Sequence, residues 1–326
     1  MKSLYMATET ITIDLIKEAA QEAFEETKLI SGGKNASYIP FLANVPSELF
    51  GMSITFPNGE IFDLGDTEYV FGVESISKVF TALLVMNEFG ADEILRKIGA
   101  DATGLPFNSI FAILLENDCP STPLVNAGAI SACSMVTPKG DSENKWKGII
   151  SNFEALCAGP TPVLKELYQS ESATNFNNRS IAWLLKTYNR IYDDPDMSLD
   201  LYTRQCSIGV TSRQLSVCAA TIASGGVNPI SVKQVFPEEL SSKIISLMAT
   251  VGFYQKTGDW MFQTGIPAKS GVGGGILAVV PGLMGISTFS PPLDNAGNSV
   301  KGQAAIKALA SKLGLGIFSG KSIRLA

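Results

Sequence analysis

The most consequential absence from this chain of 326 residues is histidine, which occurs nowhere in it. Without an imidazole the chain cannot form a Ser-His-Asp triad, a Cys-His dyad or a histidine-ligated metal site. If the protein is a nucleophilic enzyme, its protons must therefore be moved by lysine, tyrosine or a carboxylate. A serine with a lysine three residues later is one of the few arrangements that can work in this way.

Charged residues are scarce, at 17% of the chain, and their balance gives a net charge of −6. No cluster of lysine and arginine opposes that acidic balance, so nucleic acid is not an expected partner. The longest apolar stretch, Gly271–Ile286, is rich in glycine, contains Pro281 and is too short for a convincing membrane span. We therefore expect a protein that binds neither nucleic acid nor a membrane.

The cysteines are few and contain no C-x-x-C spacing. We interpret the five of them as buried reduced thiols of a cytoplasmic protein: Cys119, Cys133, Cys157, Cys206 and Cys218. The first residues, Met-Lys-Ser-Leu-Tyr-Met, lack the apolar core and cleavage site of a signal peptide, which also predicts a cytoplasmic location. With 45% apolar residues, the chain can bury a large core as one big domain or as two interleaved lobes.

One serine–lysine pair, Ser75 with Lys78, has a setting that suits catalysis. It opens an apolar run with helical periodicity, and residues three apart on a helix share a face. An unprotonated Lys78 can take the proton of Ser75 Oγ and activate it for attack on a carbonyl carbon. The plainer alternative is a helix N-cap serine followed by a solvated lysine.

Two other pairs have the same spacing, Ser31 with Lys34 and Ser142 with Lys145. Both lie in polar stretches that contain glycine or asparagine, and we interpret those stretches as loops. The spacing alone is therefore weak evidence, and the apolar setting of Ser75 carries the prediction.

Periodicity and turn residues predict two strands near the N-terminus, three near the C-terminus and helices between them. The predicted strands are Phe50–Phe56, Glu60–Leu64, Asp259–Pro267, Gly275–Val280 and Leu283–Phe289. The predicted helices are about Thr12–Lys28, Ser75–Phe89, Asn108–Asn117, Ala127–Val136, Ile149–Leu156, Pro162–Ser170, Arg179–Thr187, Ser212–Ala223, Pro237–Ala249 and Val300–Leu313.

This order predicts an α/β (α+β) fold with an antiparallel five-stranded sheet flanked by the N- and C-terminal helices. We expect one catalytic unit over residues 1–326, with a sheet lobe of about 1–74 and 246–326. An inserted helical lobe of about 75–245 would complete it, with no convincing pair of strands between about residues 90 and 245. The cleft between the lobes is the expected ligand site.

Two further stretches suit chemistry at that cleft. Ala268–Gly275 contains four glycines in five residues, so it can approach a ligand closely and offer an N–H to an oxyanion, or it can simply be a bulged strand start. Asn126 lies at a predicted helix start, where an N-cap is the plain interpretation.

A polar segment and two tyrosines complete the candidates. Glu171–Arg179 would by default be a solvated loop in which Asn178 caps the next helix. Tyr202 and Tyr254 would by default be half-buried aromatic residues.

Eight segments, in order from about residue 33 to 295, match a known pattern: Gly33–Pro40, Ser75–Phe80, Val125–Ile130, Glu171 with Asn178-Arg179, Leu201-Tyr202 with Gln205–Ser207, Gly252–Tyr254, Lys269–Gly275 and Ser290–Asp294. Together they resemble the serine-dependent glutaminase family, which shares its fold with serine β-lactamases and penicillin-binding proteins. Three departures stand out. Glu74 replaces the usual glutamine, Ser37 replaces the usual aspartate, and Gln255–Gly258 replaces the more usual Asp-x-Ser-Gly.

The resemblance implies hydrolysis of L-glutamine to L-glutamate and ammonia. It makes Ser75 the nucleophile and Lys78 its base, and it assigns the oxyanion to the backbone N–H groups of Ser75 and Val272. Tyr254 would carry a proton to the departing ammonia. Lys78 must then be neutral, through burial or a nearby cation such as Lys269, and Glu74 would oppose that if it pointed inward.

The resemblance also implies where the substrate is held. Five residues are assigned to its α-amino and α-carboxylate groups, around the reacting amide at Ser75, Tyr254 and Val272: Tyr38, Asn126, Glu171, Asn178 and Tyr202. Among them, Glu171 is the carboxylate expected to meet the ammonium. No cofactor or metal is implied, and members of the family tend to form homo-oligomers, so a dimer or tetramer is expected.

Two alternative functions remain. A β-lactamase or D,D-peptidase has the same fold, but its substrates are met outside the cytoplasm, and the segment from Glu171 to Asn178 is of the glutaminase type. A non-catalytic amino-acid-binding module is disfavoured by the intact Ser75–Lys78 pair and the glycine-rich segment at Val272.

Overall fold

A computed structural model describes residues 8–115, 118–320 and 322–326. Its strands are β1 (Thr8–Ile11), β2 (Gly51–Thr55), β3 (Ile61–Gly65), β4 (Phe71–Gly72), β5 (Gly209–Val210), β6 (Val227–Asn228), β7 (Lys233–Gln234), β8 (Ala268–Ser270), β9 (Gly275–Val280), β10 (Met284–Phe289) and β11 (Ser322–Leu325). The first α-helices along the described chain are α1 (Ile13–Thr27), α2 (Pro40–Ala43), α3 (Ser77–Phe89), α4 (Ala91–Lys97), α5 (Ile110–Leu115), α6 (Asn126–Met135) and α7 (Ser142–Cys157). The remaining α-helices are α8 (Lys165–Thr174), α9 (Phe176–Thr187), α10 (Pro195–Cys206), α11 (Ser212–Ala223), α12 (Glu239–Val251), α13 (Thr257–Thr264) and α14 (Val300–Leu313).

The main sheet has five antiparallel strands in the order β3-β2-β10-β9-β8, which confirms the predicted sheet. The hairpins β2–β3 and β9–β10 are sequential, but β2 pairs with β10 across most of the chain. The sheet is therefore complete only when the N-terminal and C-terminal segments of the chain have come together.

Helices cover both faces of this sheet. On one face α1 and α14 pack together against it, and Ile16, Phe24, Ile54, Ile286 and Ile306 are buried in one apolar cluster there. On the other face α11 packs closely against β10. A Cβ added at Gly285 would lie 2.1 Å from the backbone nitrogen of Ala220, so only glycine permits this approach. The predicted cover by the terminal helices is confirmed.

The strand predicted over Asp259–Pro267 is wrong, because most of this segment is the helix α13. Trp260 stacks on Phe253 with ring centroids 4.1 Å apart, and its indole N–H donates to the carbonyl oxygen of Ile266 at 2.7 Å. Gly265 ends the helix with φ of 61°. The fifth strand begins only at Ala268, after this turn.

Residues 75–245 are mostly helical, as predicted, but several details differ. Two helices escaped prediction, α4 and α10, although Asp194 caps α10 and Pro195 occupies its first turn. The short strand pairs β4–β5 and β6–β7 were also unexpected. Of the predicted helix Asn108–Asn117 the structure describes α5, and the end at Asn117 lies outside the described residues.

The central helix α3 is buried almost all round. Val79, Phe80 and Leu83 lie in the apolar cluster that α3 shares with α6 and α7, and Gly90 ends the helix as predicted. A helix held on every side gives fixed positions to the residues at its start. None of the described helices combines the length and the apolar character needed to cross a bilayer.

Candidate active site

Ser75 and Lys78 meet at the start of α3. Ser75 lies in a 3₁₀ turn, Glu74–Ile76, that leads directly into the helix, and both side chains are buried. Lys78 Nζ donates a hydrogen bond to Ser75 Oγ at 2.8 Å. The alternative of an N-cap serine with a solvated lysine is therefore wrong. Ile76 occupies the N-cap position, and Lys78 is only 1% exposed.

The second serine–lysine pair has a structural role that its polar sequence concealed. Ser142 and Lys145 lie in the first turn of α7, which Asp141 caps, so the loop prediction there is wrong. Lys145 is fully buried, forms an ion pair with Asp193 at 2.6 Å and donates to the carbonyl oxygen of Ser134 at 2.9 Å. Its Nζ is thus bound by those oxygens.

Burial governs the electrostatics of Lys78. Removal from water lowers the pKa of Lys78 to about 8, against the opposing effect of nearby acidic groups. A second buried lysine, Lys269, donates to the carbonyl oxygen of Ser270 at 2.6 Å. Burial and the charge of Lys78 hold the pKa of Lys269 well below its usual range. An appreciable fraction of Lys78 is therefore neutral near neutral pH.

The glycine-rich turn after β8 brings Val272 against the serine segment. A Cβ added at Gly273 would lie 2.3 Å from the carbonyl oxygen of Gly72, and one at Gly271 would lie 2.9 Å from that of Val73. These glycines are needed for the close approach of two backbones. The buried N–H of Val272 donates no hydrogen bond to any other described residue.

Tyr254 is fully enclosed beside the serine, so the default of a half-buried aromatic residue is wrong. Its hydroxyl donates to the carbonyl oxygen of Ser270 at 3.3 Å and is within hydrogen-bonding reach of Ser75. The ammonium of Lys269 lies 4.4 Å from the centre of its ring. Tyr254 has φ of 53°, a left-handed conformation that costs a non-glycine residue energy and is often found at functional sites.

Asn126 joins the base to two other candidates. Its Oδ1 accepts hydrogen bonds from Lys78 Nζ at 2.8 Å and from the Tyr202 hydroxyl at 3.1 Å. Its Nδ2 donates to Asn178 Oδ1 at 2.8 Å. Asn126 is the first residue of α6 and caps nothing, so the N-cap interpretation is wrong. Tyr202, which belongs to α10, is buried rather than half-buried.

Glu171 and Asn178 come from two consecutive helices, not from the solvated loop expected by default. Glu171 lies in the last turns of α8, and Asn178 lies in α9. The helices turn at Asn175, so both side chains reach the same cavity. Polar residues here face a cavity rather than bulk water, and hydrophobic periodicity alone could not show that.

The cavity has a volume of about 1020 Å³ and is lined by seven of the eight predicted substrate residues: Tyr38, Ser75, Asn126, Glu171, Asn178, Tyr202 and Val272. Tyr254 lies just behind this lining, against Ser75. Tyr38 extends over the opening and is the most exposed of the set. The structure thus brings together every residue that the resemblance assigned to the site.

The lining also contains residues that were not predicted as site residues, among them Glu74, Cys206 and the segment Leu293–Gly297. Glu74 is 4% exposed and has φ of 49°, so it does point inward. Its departure from the usual glutamine marked it in the sequence, but the direction of its side chain was left open there. Phe107, whose ring centre lies 4.5 Å from that of Tyr254, had no distinguishing signal in the sequence.

One group of described residues has the spacing of metal ligands. Oxygens of Glu74 and Glu171 and Sγ of Cys206 lie within 4.8 Å of one another. Burial and then the two carboxylates raise the pKa of the Cys206 thiol well above its usual range. A thiol must lose its proton to bind a metal, so this group is better suited to holding a proton or an organic cation.

The fold and the site together define a class of protein. The antiparallel sheet, the helical insertion and a buried serine–lysine pair at the start of the central helix are those of a β-lactamase-like serine hydrolase.

Comparison with known proteins narrows the class. The glutaminase family model matches residues 33–318. A glutaminase of Parabacteroides distasonis is 64% identical over 315 residues, which is 97% of this chain and 98% of the relative. A glutaminase of Mycobacterium marinum is 47% identical over 314 residues, or 96% of this chain and 98% of the relative.

Solved structures agree. The probable glutaminase ybaS has a TM-score of 0.92 and 44% identity, over 94% of this chain and 99% of that one. A structure described as Mglu in its glutamate form has a TM-score of 0.88 and 30% identity, over 93% of this chain and 70% of that one. This chain belongs to the glutaminase family.

Proposed function

We propose that this protein hydrolyses L-glutamine to L-glutamate and ammonia through an acyl-enzyme on Ser75. The observation that carries the proposal is the hydrogen bond of 2.8 Å from Lys78 Nζ to Ser75 Oγ, in a cavity that contains a buried carboxylate. The family match and the glutaminases that resemble this chain support it.

In the first step, Ser75 Oγ attacks the side-chain amide carbon of glutamine while neutral Lys78 takes its proton. The N–H groups of Ser75 and Val272 bind the oxygen that becomes negative, a contact worth about 3 kcal/mol of barrier. The C–N bond then breaks, and Tyr254 passes a proton to the departing nitrogen, which leaves as ammonia. Tyr254 recovers that proton from Lys78. Water next attacks the ester, with the same groups moving its proton, and glutamate leaves.

Recognition uses the two charged groups of the substrate that do not react. Glu171 meets the α-ammonium, and Tyr38, Asn126, Asn178 and Tyr202 bind around the α-amino and α-carboxylate groups. Their presence in the lining of one cavity supports this assignment. Binding energy from these groups orients the amide carbon against Ser75.

The test is ammonia release from L-glutamine and from L-asparagine. We expect wild-type enzyme to act on glutamine, Ser75→Ala to be inactive, and the matched change Ser142→Ala to be fully active, because Ser142 lies away from the cavity in α7. An inactive wild-type protein that still binds glutamine would favour the amino-acid-binding module. Turnover of nitrocefin without glutaminase activity would favour a β-lactamase.

Location, assembly and lobes are further parts of the proposal. We infer a cytoplasmic homo-oligomer, a dimer or tetramer, with a sheet lobe of about 1–74 and 246–326 and a helical lobe of about 75–245. All five cysteines are unpaired, which suits a reducing compartment. Exposed Phe111 and Phe176 offer apolar surface for assembly. Light scattering after size-exclusion chromatography measures the oligomeric state.

A further inference from the structure

Two carboxyl groups, not one, lie side by side in the substrate cavity. Glu74 and Glu171 come from segments almost a hundred residues apart, yet a carboxyl oxygen of one lies within 4.8 Å of a carboxyl oxygen of the other. Each also has an oxygen, Oε1, that is buried and has no hydrogen-bond donor among the described residues. Only 4% of the surface of Glu74 is exposed. Such groups require a proton or a cation to be satisfied.

The surroundings of Glu74 supply too little positive charge for two carboxylates. Glycines of the turn that carries Val272 pack on its side chain, with a Cβ at Gly273 only 3.3 Å from Glu74 Cγ. The charge of Lys78, of α3, acts on Glu74 and favours its ionised form. That lysine must lose its own proton for catalysis.

The other titratable groups around the pair are neutral acids. Cys206 and Tyr202 of α10 both have a pKa raised by burial and by the carboxylates. Tyr254 behind Ser75 also has a pKa raised first by burial and further by negative charge nearby. Tyr38, which is largely exposed at the opening, is a neutral phenol as well. None of them can therefore neutralise a second carboxylate.

Burial and repulsion from Glu171 raise the pKa of Glu74 well above its usual range. Like-charged carboxyls in contact cannot both ionise easily, and the pair titrates as a unit. A protonated Glu74 donates to the Glu171 carboxylate and presents a single negative charge to Lys78. This removes the conflict that an inward Glu74 would otherwise create, because a second negative charge would keep Lys78 protonated.

We propose that Glu74 and Glu171 share one proton in the empty cavity and release it when the α-ammonium group of the substrate binds. The inference rests on the proposed function, since it takes the ammonium of glutamine to be the ligand of this pair. The exchange replaces one positive charge by another. The combined charge of the two carboxyl groups and the cation that they hold therefore stays the same in the free and the occupied enzyme.

Calorimetry tests this directly. L-Glutamine is titrated into Ser75→Ala protein, which cannot turn it over, in buffers of different ionisation enthalpy at one pH near neutrality. The slope of the binding enthalpy against buffer enthalpy gives the number of protons released. We expect a release approaching one proton per glutamine. In Ser75→Ala/Glu74→Gln the amide replaces the proton donor, and we expect binding with almost no release.

The matched control is Ser75→Ala/Glu88→Gln. Glu88, at the outer end of α3, is a carboxyl whose pKa is also raised by partial burial, but it does not line the cavity. We expect Glu88→Gln to leave the number of protons released on glutamine binding unchanged. Equal proton release with and without Glu74 would overturn the inference, and so would no release in the Ser75→Ala protein itself. The second outcome is measured on the Ser75→Ala protein alone, so it does not depend on whether the Glu74 variant folds.

A kinetic readout distinguishes this failure from failure of the proposed function. Wild-type ammonia release establishes the function independently of any proton count. The pH dependence of kcat/KM reports the free enzyme, and that of kcat reports the occupied enzyme. The α-carboxylate of the substrate acts on Lys78 in both enzymes alike, so the difference between the two midpoints is compared between wild type and Glu74→Gln. In the variant the ammonium arrives without displacing a proton, so its kcat midpoint should lie at lower pH, relative to its kcat/KM midpoint, than in wild type. The same difference in both enzymes would contradict the exchange.

Discussion

The buried position of Lys78 disfavours the protonated form of its side chain. It is fully enclosed, and its Nζ has Ser75 Oγ and Asn126 Oδ1 as partners, both of them neutral. A buried lysine without a paired carboxylate is normally costly, and burial favours its neutral form. Lys145 shows the contrast within the same chain, because Asp193 compensates its charge at 2.6 Å. Being poised to lose its proton is what suits Lys78 to act as a base.

The first prediction concerns the pH dependence of activity. Lys78 has a lowered pKa of about 8 and acts in its neutral form, so kcat/KM for glutamine should rise with pH and level off above about 8. Lys78→Ala and Tyr254→Phe should each lower kcat severely. Lys256→Ala should not, because this lysine, two residues after Tyr254, is exposed. Steady-state kinetics across the pH range measure this. A flat profile, or near-normal kcat in both variants, would contradict these proton carriers.

The second prediction concerns recognition by Glu171. Glu171→Gln keeps the size of the side chain and removes the charge that meets the ammonium. A hydrogen bond to a charged group is worth ~1.5–3 kcal/mol, so kcat/KM for glutamine should fall at least ~10-fold. Activity on an analogue without the α-amino group should fall much less. Glu74 remains as a neighbouring carboxyl, so the double change Glu74→Gln/Glu171→Gln should lower kcat/KM further. Equal losses on both substrates would show that Glu171 is only structural.

At the scale of elements, the glycine-rich turn after β8 sets the width of the oxyanion site. Two backbones meet there without side chains between them, since Gly273 faces the carbonyl oxygen of Gly72. The position of the Val272 N–H therefore depends on how closely the turn packs against the 3₁₀ turn of Ser75. A small displacement changes the distance to the developing oxyanion more than it changes substrate binding.

The third prediction follows from that contact. Gly273→Ala places a Cβ 2.3 Å from the carbonyl oxygen of Gly72, so the turn must move outward. We expect kcat to fall on the order of 10²-fold, with a smaller change in KM. Gly258→Ala is the matched control, because that glycine is in α13 with open space around it. The same kcat in both variants would show that Val272 does not hold the oxyanion.

Local signals predicted an element well when they marked both its ends. The helix Ser212–Ala223 has a capping box at Thr211 and a glycine pair after it, and Val300–Leu313 ends at a glycine with φ of 65°. Both were predicted with their observed bounds. The segment Asp259–Pro267 has an apolar run too short to separate helix from strand, and the contact between Trp260 and Phe253 decides in favour of helix.

In the active site, too, local sequence signals predicted some contacts and could not predict others. The spacing of Ser75 and Lys78 predicted their contact, because it depends on one helical turn. The hydrogen bonds of Asn126 to Lys78, Tyr202 and Asn178 join four different helices, and no local pattern contains that information. Those residues were predicted only through resemblance to a family. The pairing of Glu74 with Glu171 was not predicted, because the direction of the Glu74 side chain depends on the left-handed backbone at that residue.

At the scale of the whole molecule, the cavity joins parts of the chain that are far apart in sequence. Ser75 and Glu171 come from the central region, whereas Tyr38, Val272 and Leu293 come from the two ends. The sheet has the same property, since β2 pairs with β10. Loss of the pairing at either end would therefore remove part of the substrate site.

The fourth prediction is that the molecule unfolds as one cooperative unit. In Trp146→Phe/Trp183→Phe the remaining tryptophan, Trp260, is buried in the apolar cluster of the sheet, while far-UV circular dichroism follows the helices. We expect both signals to give the same midpoint on heating. L-Glutamate at about 100 times its Kd should stabilise both by about 2.7 kcal/mol. An earlier transition of Trp260 than of the helices would contradict the prediction.

The pairing of β2 with β10 has a consequence for the protein during its synthesis. Ser75 and its helix leave the ribosome nearly two hundred residues before Val272. At about 5–20 residues per second, that interval is roughly 10–40 s. Throughout it, the nascent chain lacks Val272, and the β2–β3 hairpin has no third strand. A ribosome that stalls before β10 therefore leaves a chain with an open strand edge, to which chaperones can bind.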